Sequence, residues 1–181
     1  MKYSALIIII FCSTVFANDN FPCDFSATKP ISFRSGTSTD SLKITIKGYT
    51  CKTSKLTYSI LTDKGELIYE FTDPKTKDVS VYGKPTFQSN VFTFFEWFLK
   101  WPLKSTSELP ERVLCDKAKG YCNEFKGEEN YAESKLTIKE YNELKERNTP
   151  MFTHNSGHES WTTVAYDKES GKYIVVLSGG V

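Results

Sequence analysis

Leu42-Lys43-Ile44-Thr45-Ile46-Lys47 alternates apolar and polar at every step. Period two over six residues predicts a strand with one face buried and the other wet. Leu56-Thr57-Tyr58-Ser59-Ile60-Leu61-Thr62 follows, β-branched and aromatic, and Asp63-Lys64-Gly65 reads as the turn of a hairpin. Glu66-Leu67-Ile68-Tyr69-Glu70-Phe71 returns, Asp73-Pro74 turns again, and Val79-Ser80-Val81-Tyr82 gives one more short strand. This pattern predicts an antiparallel meander. Residues 18–40 are polar and turn-rich and read as an arm, with one short strand at Ile31-Ser32-Phe33.

The period changes at about residue 88. At about 100° per residue, Val91, Phe92, Phe94, Phe95, Trp97, Phe98, Leu99 and Trp101 cover most of a helix circumference. Thr93, Glu96 and Lys100 share one narrow polar stripe, with Glu96 and Lys100 in the favourable i, i+4 order. Ser89 or Asn90 is the expected cap and Pro102 the stop. A helix apolar nearly all round is normally buried. The stretch 88–101 therefore reads as a core helix lying on the sheet. Residues 103–135 are the least patterned and read as a long loop. A second, amphipathic helix is predicted over 137–148: Thr137 and Glu140 form a capping box, and Ile138, Tyr141 and Leu144 line one side. Ser160-Trp161-Thr162-Thr163-Val164-Ala165-Tyr166 and Lys172-Tyr173-Ile174-Val175-Val176-Leu177-Ser178 read as a C-terminal hairpin across Asp167–Gly171. The expected fold is α+β: an antiparallel sheet, made of the meander plus the C-terminal hairpin, packed against one buried aromatic helix and one amphipathic helix.

The N-terminus changes the context. Lys2, the apolar run Ala5–Phe11 and the small residues of Val15-Phe16-Ala17 fit a signal peptide of residues 1–17, cut after Ala17. The mature chain, 18–181, is then expected to be a single α+β domain, periplasmic or secreted, with no transmembrane segment. It carries Cys23, Cys51, Cys115 and Cys122, an even number in an exported chain, which reads as two disulfides. Cys23–Cys51 and Cys115–Cys122 are the favoured pairs, each contributing about 2–4 kcal/mol. Neither pair has the close spacing of a zinc site.

Charge says little about partners beyond one exclusion. The chain has 23 basic and 22 acidic side chains, and no block of like charge. Nucleic acid needs a concentrated basic surface, so it is not expected as a partner.

The chemistry-bearing residues cluster in Pro150–Trp161. Both histidines of the chain, His154 and His158, flank Ser156-Gly157, with Glu159 and Trp161 beside them. The segment reads as a loop joining helix to hairpin. On a helix the two imidazoles would share a face, as metal ligands do, but Ser156-Gly157 opposes a helix and Asn155 stands where the zinc motif has Glu. Ser156 or Ser160 with a histidine and Asp167 could compose a hydrolase triad, yet no G-x-S-x-G elbow is present. The predicted bridges consume the thiols, and no carboxylate pair is singled out. No cofactor, metal or catalytic residue is assigned. The favoured reading is a non-catalytic binding protein of the envelope, an inhibitor or immunity protein against a cell-wall-directed enzyme. Its contact loop comprises His154, Ser156, Gly157, His158, Glu159 and Trp161. The Ser156-Gly157 dipeptide near Trp161 resembles the Ser-Gly loop of periplasmic lysozyme inhibitors over half a dozen residues; that resemblance implies a protein partner. The alternative is an exported hydrolase or metal-binding protein using His154 and His158.

Overall fold

The alternating stretch at Leu42–Lys47 is the second strand of a four-stranded antiparallel meander, β1 (Cys23–Ile31), β2 (Asp40–Gly48), β3 (Lys55–Leu61) and β4 (Leu67–Asp73). The computed structural model describes residues 23–32, 39–50, 53–73, 87–113, 125, 131–157 and 159–180. The expected signal peptide, the strand read at 79–82, and Cys51, Cys115, Cys122 and His158 lie outside the described residues. Two compact units emerge, one ending at Pro102 and one beginning at Leu103.

In the first unit, Leu42, Ile44, Ile46, Leu56, Tyr58 and Ile60 are all buried on one face. Each such side chain contributes about 1.5–3 kcal/mol on leaving water. The opposite face is polar: Ser26, Thr45, Thr57 and Thr72 occupy one rung across the four strands. Thr57 and Thr72 join their hydroxyls at 3.0 Å. The β3–β4 turn is tied by Thr62, whose hydroxyl accepts from the Lys64 and Glu66 amides. Gly65 sits there at φ +82°, a conformation that costs other residues strain.

The arm expected at 18–40 is corrected: its residues 23–31 form the nine-residue strand β1. Its inward positions are Phe25, Ala27, Lys29 and Ile31, too mixed to show a clear apolar alternation. Pro30 is tolerated because β1 is an edge strand.

Helix α1 (Phe87–Lys100) matches the aromatic helix but not its predicted burial. Val91, Phe94, Phe95 and Phe98 are buried, and Phe92 meets Phe25 of β1 edge to face at 6.3 Å. Trp97 is 46% exposed and Trp101, just past the helix, 37%. Both follow the polar stripe of Thr93, Glu96 and Lys100, since 93, 97, 100 and 101 share a side at helical spacing. Ser89 is not a cap. It lies inside the helix, where its carbonyl accepts from the Thr93 hydroxyl at 3.0 Å.

The second unit holds a five-stranded antiparallel sheet in the order β5-β7-β8-β9-β6: β5 (Lys104–Ser105), β6 (Tyr131–Glu133), β7 (Pro150–Gly157), β8 (Ser160–Asp167) and β9 (Lys172–Gly180). The C-terminal hairpin, expected to join the meander's sheet, belongs instead to this second sheet. The hairpin's neighbours are β7 and the short β6, and the short β5 pairs with β7; β5 and β6 come from the segment read as a loop. Helix α2 (Ile138–Glu146) has the anticipated capping box: the Thr137 hydroxyl accepts from the Glu140 amide, and the Glu140 carboxylate accepts from the Thr137 amide. Those bonds from Thr137 hold the Glu140 carboxyl below its usual range.

Tyr141 and Leu144 of α2 pack with Leu109, Phe125, Ala132, Met151, Ala165, Val176 and Leu177 into one core. The Tyr141 hydroxyl donates to the Pro110 carbonyl at 3.0 Å. Arg112 stands over the Phe125 and Tyr141 rings, at 5.8 and 6.0 Å, and donates to the Leu136 carbonyl. The guanidinium thereby closes the core on its polar side.

Candidate functional site

The segment Pro150–Gly157, expected to be a loop, is strand β7. Its start is fixed by two hydrogen bonds: the Thr106 amide donates to the Thr149 carbonyl at 2.8 Å, and the Thr149 amide to the Thr106 hydroxyl at 2.9 Å. Asn148, at φ +51°, makes the bend out of α2, a position that asparagine takes more readily than most residues. The chain then has enough Thr, Phe and Met to continue as a strand. The Ser-Gly pair, read as a break, falls only at its end.

Pairing with β8 runs Met151 opposite Ala165 up to Asn155 opposite Trp161. The register then shifts, so Gly157 faces Ser160 and Ser156 is the extra residue. β7 ends at Gly157 and β8 begins at Ser160, so a tight turn joins them. Such loops demand positive φ, and Glu159 takes φ +60°. Gly157 takes φ +155°, which other residues rarely adopt, and a Cβ there would come within 2.8 Å of the Ser160 hydroxyl, a side-chain end that can turn away. Across the sheet, a Cβ on Gly180 would lie 3.0 Å from the Glu159 carbonyl. The Ser156 and Ser160 hydroxyls are 3.4 Å apart. Asn155 and Glu159 are exposed at this tip.

His154 sits elsewhere. It is 4% exposed, in mid-strand opposite Thr162, with its ring 5.6 Å from Phe152. Its Nδ1 is 2.7 Å from the Asn155 carbonyl. A carbonyl can only accept, so this contact places a proton on Nδ1. Trp161 is half-buried and packs against the α2-side core. Strand alternation puts Trp161 and its partner Asn155 on one face and His154 with Thr162 on the other. The candidate residues thus divide. Ser156, Gly157 and Glu159 meet at the tip, joined by Asn155 and Ser160, while His154 is a buried strand residue and Trp161 a prop of the core.

Among the described residues, no three His, Cys, Asp or Glu side chains are grouped to hold a metal ion. No helix among them is long and apolar enough to cross a membrane. Asp167, weighed above as a triad member, is engaged at the far end of β8. It accepts from Arg147 at 3.0 Å and from the Ser170 amide at 3.0 Å. Its carboxyl lies below the usual range: desolvation opposes the shift, and the bonds from Ser170, Glu169 and Arg147 outweigh it.

Pattern reading did not single out the exposed Trp97–Trp101 pair. The helical wheel held the signal, because Trp97 is the aromatic position next to Glu96 and Lys100. No protein-family model, characterised protein or solved structure matches this chain.

Proposed function

We propose that the protein is an exported, non-catalytic binding protein of the cell envelope that acts as an inhibitor or immunity protein toward a cell-wall-directed enzyme. The observation that carries this reading is the β7–β8 tip. Its neck holds Gly157 at a φ that favours glycine, its turn holds a glutamate at positive φ, and Asn155 and Glu159 face solvent. A short, internally tied turn on a paired hairpin loses little entropy on docking, which favours rigid recognition of another protein. The burial of His154 favours contact by the tip over chemistry by the imidazole.

The leader pattern of residues 1–17 supports export to the periplasm or beyond. Cys23 is buried. It lies opposite Gly48, three residues before Cys51, which supports Cys23–Cys51. Cys115–Cys122 is the second proposed bridge. Peptide mapping without reductant checks both.

The test is a pull-down from envelope extract with the mature protein, read by mass spectrometry, beside the Asn155→Ala/Glu159→Ala variant. The expected result is one wall-active enzyme held by the wild type and released by the variant. Finding no stable partner, or equal capture by both, would overturn the reading.

A further inference from the structure

The exposed end of α1 combines features that the core role of that helix does not use. Trp97 and Trp101 present indole surface to solvent while both rings are braced. Trp97 stacks on buried Phe94, centroids 6.4 Å apart and planes at 28°. Trp101 meets Trp97 edge to face at 73°. The Trp101 amide donates to the Trp97 carbonyl at 3.0 Å, and the Lys29 ammonium donates to the Trp101 carbonyl. Exposed Glu96 and Lys100 form the neighbouring row, each one residue before an indole.

We propose that this surface is a carbohydrate-binding platform, on which the indoles of Trp97 and Trp101 stack pyranose rings while Glu96 and Lys100 bond the hydroxyls. A pyranose offers a face of C–H groups to an aromatic ring and a rim of hydroxyls that both donate and accept. The stripe supplies the matching parts: two held aromatic surfaces, one carboxylate acceptor and one ammonium donor. The bracing matters because an indole already fixed loses little freedom when a sugar settles on it. The same stripe suits other occupants less well. The centre of a protein interface is depleted of charge, whereas here a charged row runs beside the rings. An anchor at a membrane surface needs a strongly basic polar face, whereas this one carries Glu96 against Lys100. The proposal uses other residues, on the other unit, than the hairpin tip, and stands or falls separately from it.

The experiment uses the mature chain, purified murein sacculi free of protein, and chitohexaose. The wild type should sediment with sacculi, chitohexaose should compete, and the sugar should shift tryptophan emission to the blue. Trp97→Ala/Trp101→Ala should weaken both bindings at least tenfold, with unchanged circular dichroism. Trp161→Phe should keep the blue shift, since that indole packs on the other unit's core. Should the double alanine variant not fold, Glu96→Gln/Lys100→Gln carries the test with a loss of at least threefold. The proposal is overturned if the wild type ignores both glycans, if the variants bind as well as the wild type, or if phosphatidylglycerol vesicles and not glycans are bound through the two tryptophans. Because sacculi contain no enzyme, a negative result here leaves inhibition through the hairpin tip untouched.

Discussion

The two units bury their cores by different means. The first buries aliphatic rows of β2 and β3 on one sheet face, with buried Asp40 and Asp73 at strand ends, and its other face carries a polar rung of Ser26, Thr45, Thr57 and Thr72. The second closes its core with polar contacts: buried Tyr141 bonded to Pro110, half-buried Arg112 over two rings, Thr106 bonded to Thr149, and His154 buried in mid-strand. Apolar rows tolerate a change of shape but lose heavily with volume. Polar networks lose when one partner is removed and the other stays buried. The first unit should therefore be sensitive to truncation, and the second to the loss of single bonds.

The largest effect is expected from Ile44→Ala, which leaves a cavity in a fully buried row. Urea denaturation should show a loss of about 2–5 kcal/mol. A loss under about 1 kcal/mol would mean that the row repacks and that the contrast between the units is weaker than stated.

Arg112→Met keeps much of the stem's bulk and removes the guanidinium from two rings and from the Leu136 carbonyl. A loss of about 1–3 kcal/mol is expected by the same measurement, as for an unmade buried bond. A neutral outcome would show that the second core does not depend on its polar closure.

Thr137→Ala removes the cap of α2 and should cost about 1 kcal/mol, read by thermal melting. Trp97→Ala with Trp101→Ala should sit at the small end, about 1 kcal/mol or less for each side chain, because both are partly in water already. It should nonetheless abolish the proposed glycan binding, which separates function from fold on the same helix.

Acid should act on the second unit through Asp167. Its folded pKa is lower than its unfolded value, so its contribution is present above the ordinary carboxylate range, near about 4. It is lost as pH falls through the lower folded value. Asp167→Asn should flatten that part of the stability–pH curve. Alkali should act on the first unit through Tyr69, whose phenol burial pushes up to about 12. The unfolded tyrosine ionises near pH 10 while the folded one stays neutral. Stability should therefore fall as pH rises from about 10 toward 12, and Tyr69→Phe should reduce that fall.

Sequence pattern made β2, β3, β4, both helices and the C-terminal hairpin legible, because each repeats its own period over enough residues. The capping box at Thr137 and Glu140 was legible to the residue. Strand β1 was not, since Lys29 and Ala27 occupy inward positions and Pro30 suggests a turn. Strands β5 and β6 have only two and three residues, too short for any period to show. The division of strands between two sheets follows from pairing choices that alternation alone does not encode. In the candidate site, the Ser-Gly neck was legible as chemistry but misplaced as a loop. Its neighbours Met151, Phe152 and Thr153 form a strand because β8 is there to pair with them. Histidine spacing overstated the site, because burial of His154 depends on which face of the sheet it takes.

The central claim is that the β7–β8 tip, and not the buried imidazole, makes the functional contact. It is tested most directly by titrating the mature protein against the wall-active enzyme recovered in the pull-down and following hydrolysis of sacculi. The account predicts stoichiometric inhibition by the wild type and at least a tenfold loss of potency with Asn155→Ala/Glu159→Ala at unchanged stability. Full inhibition by that variant, with inhibition lost in a folded His154→Gln variant, would contradict it.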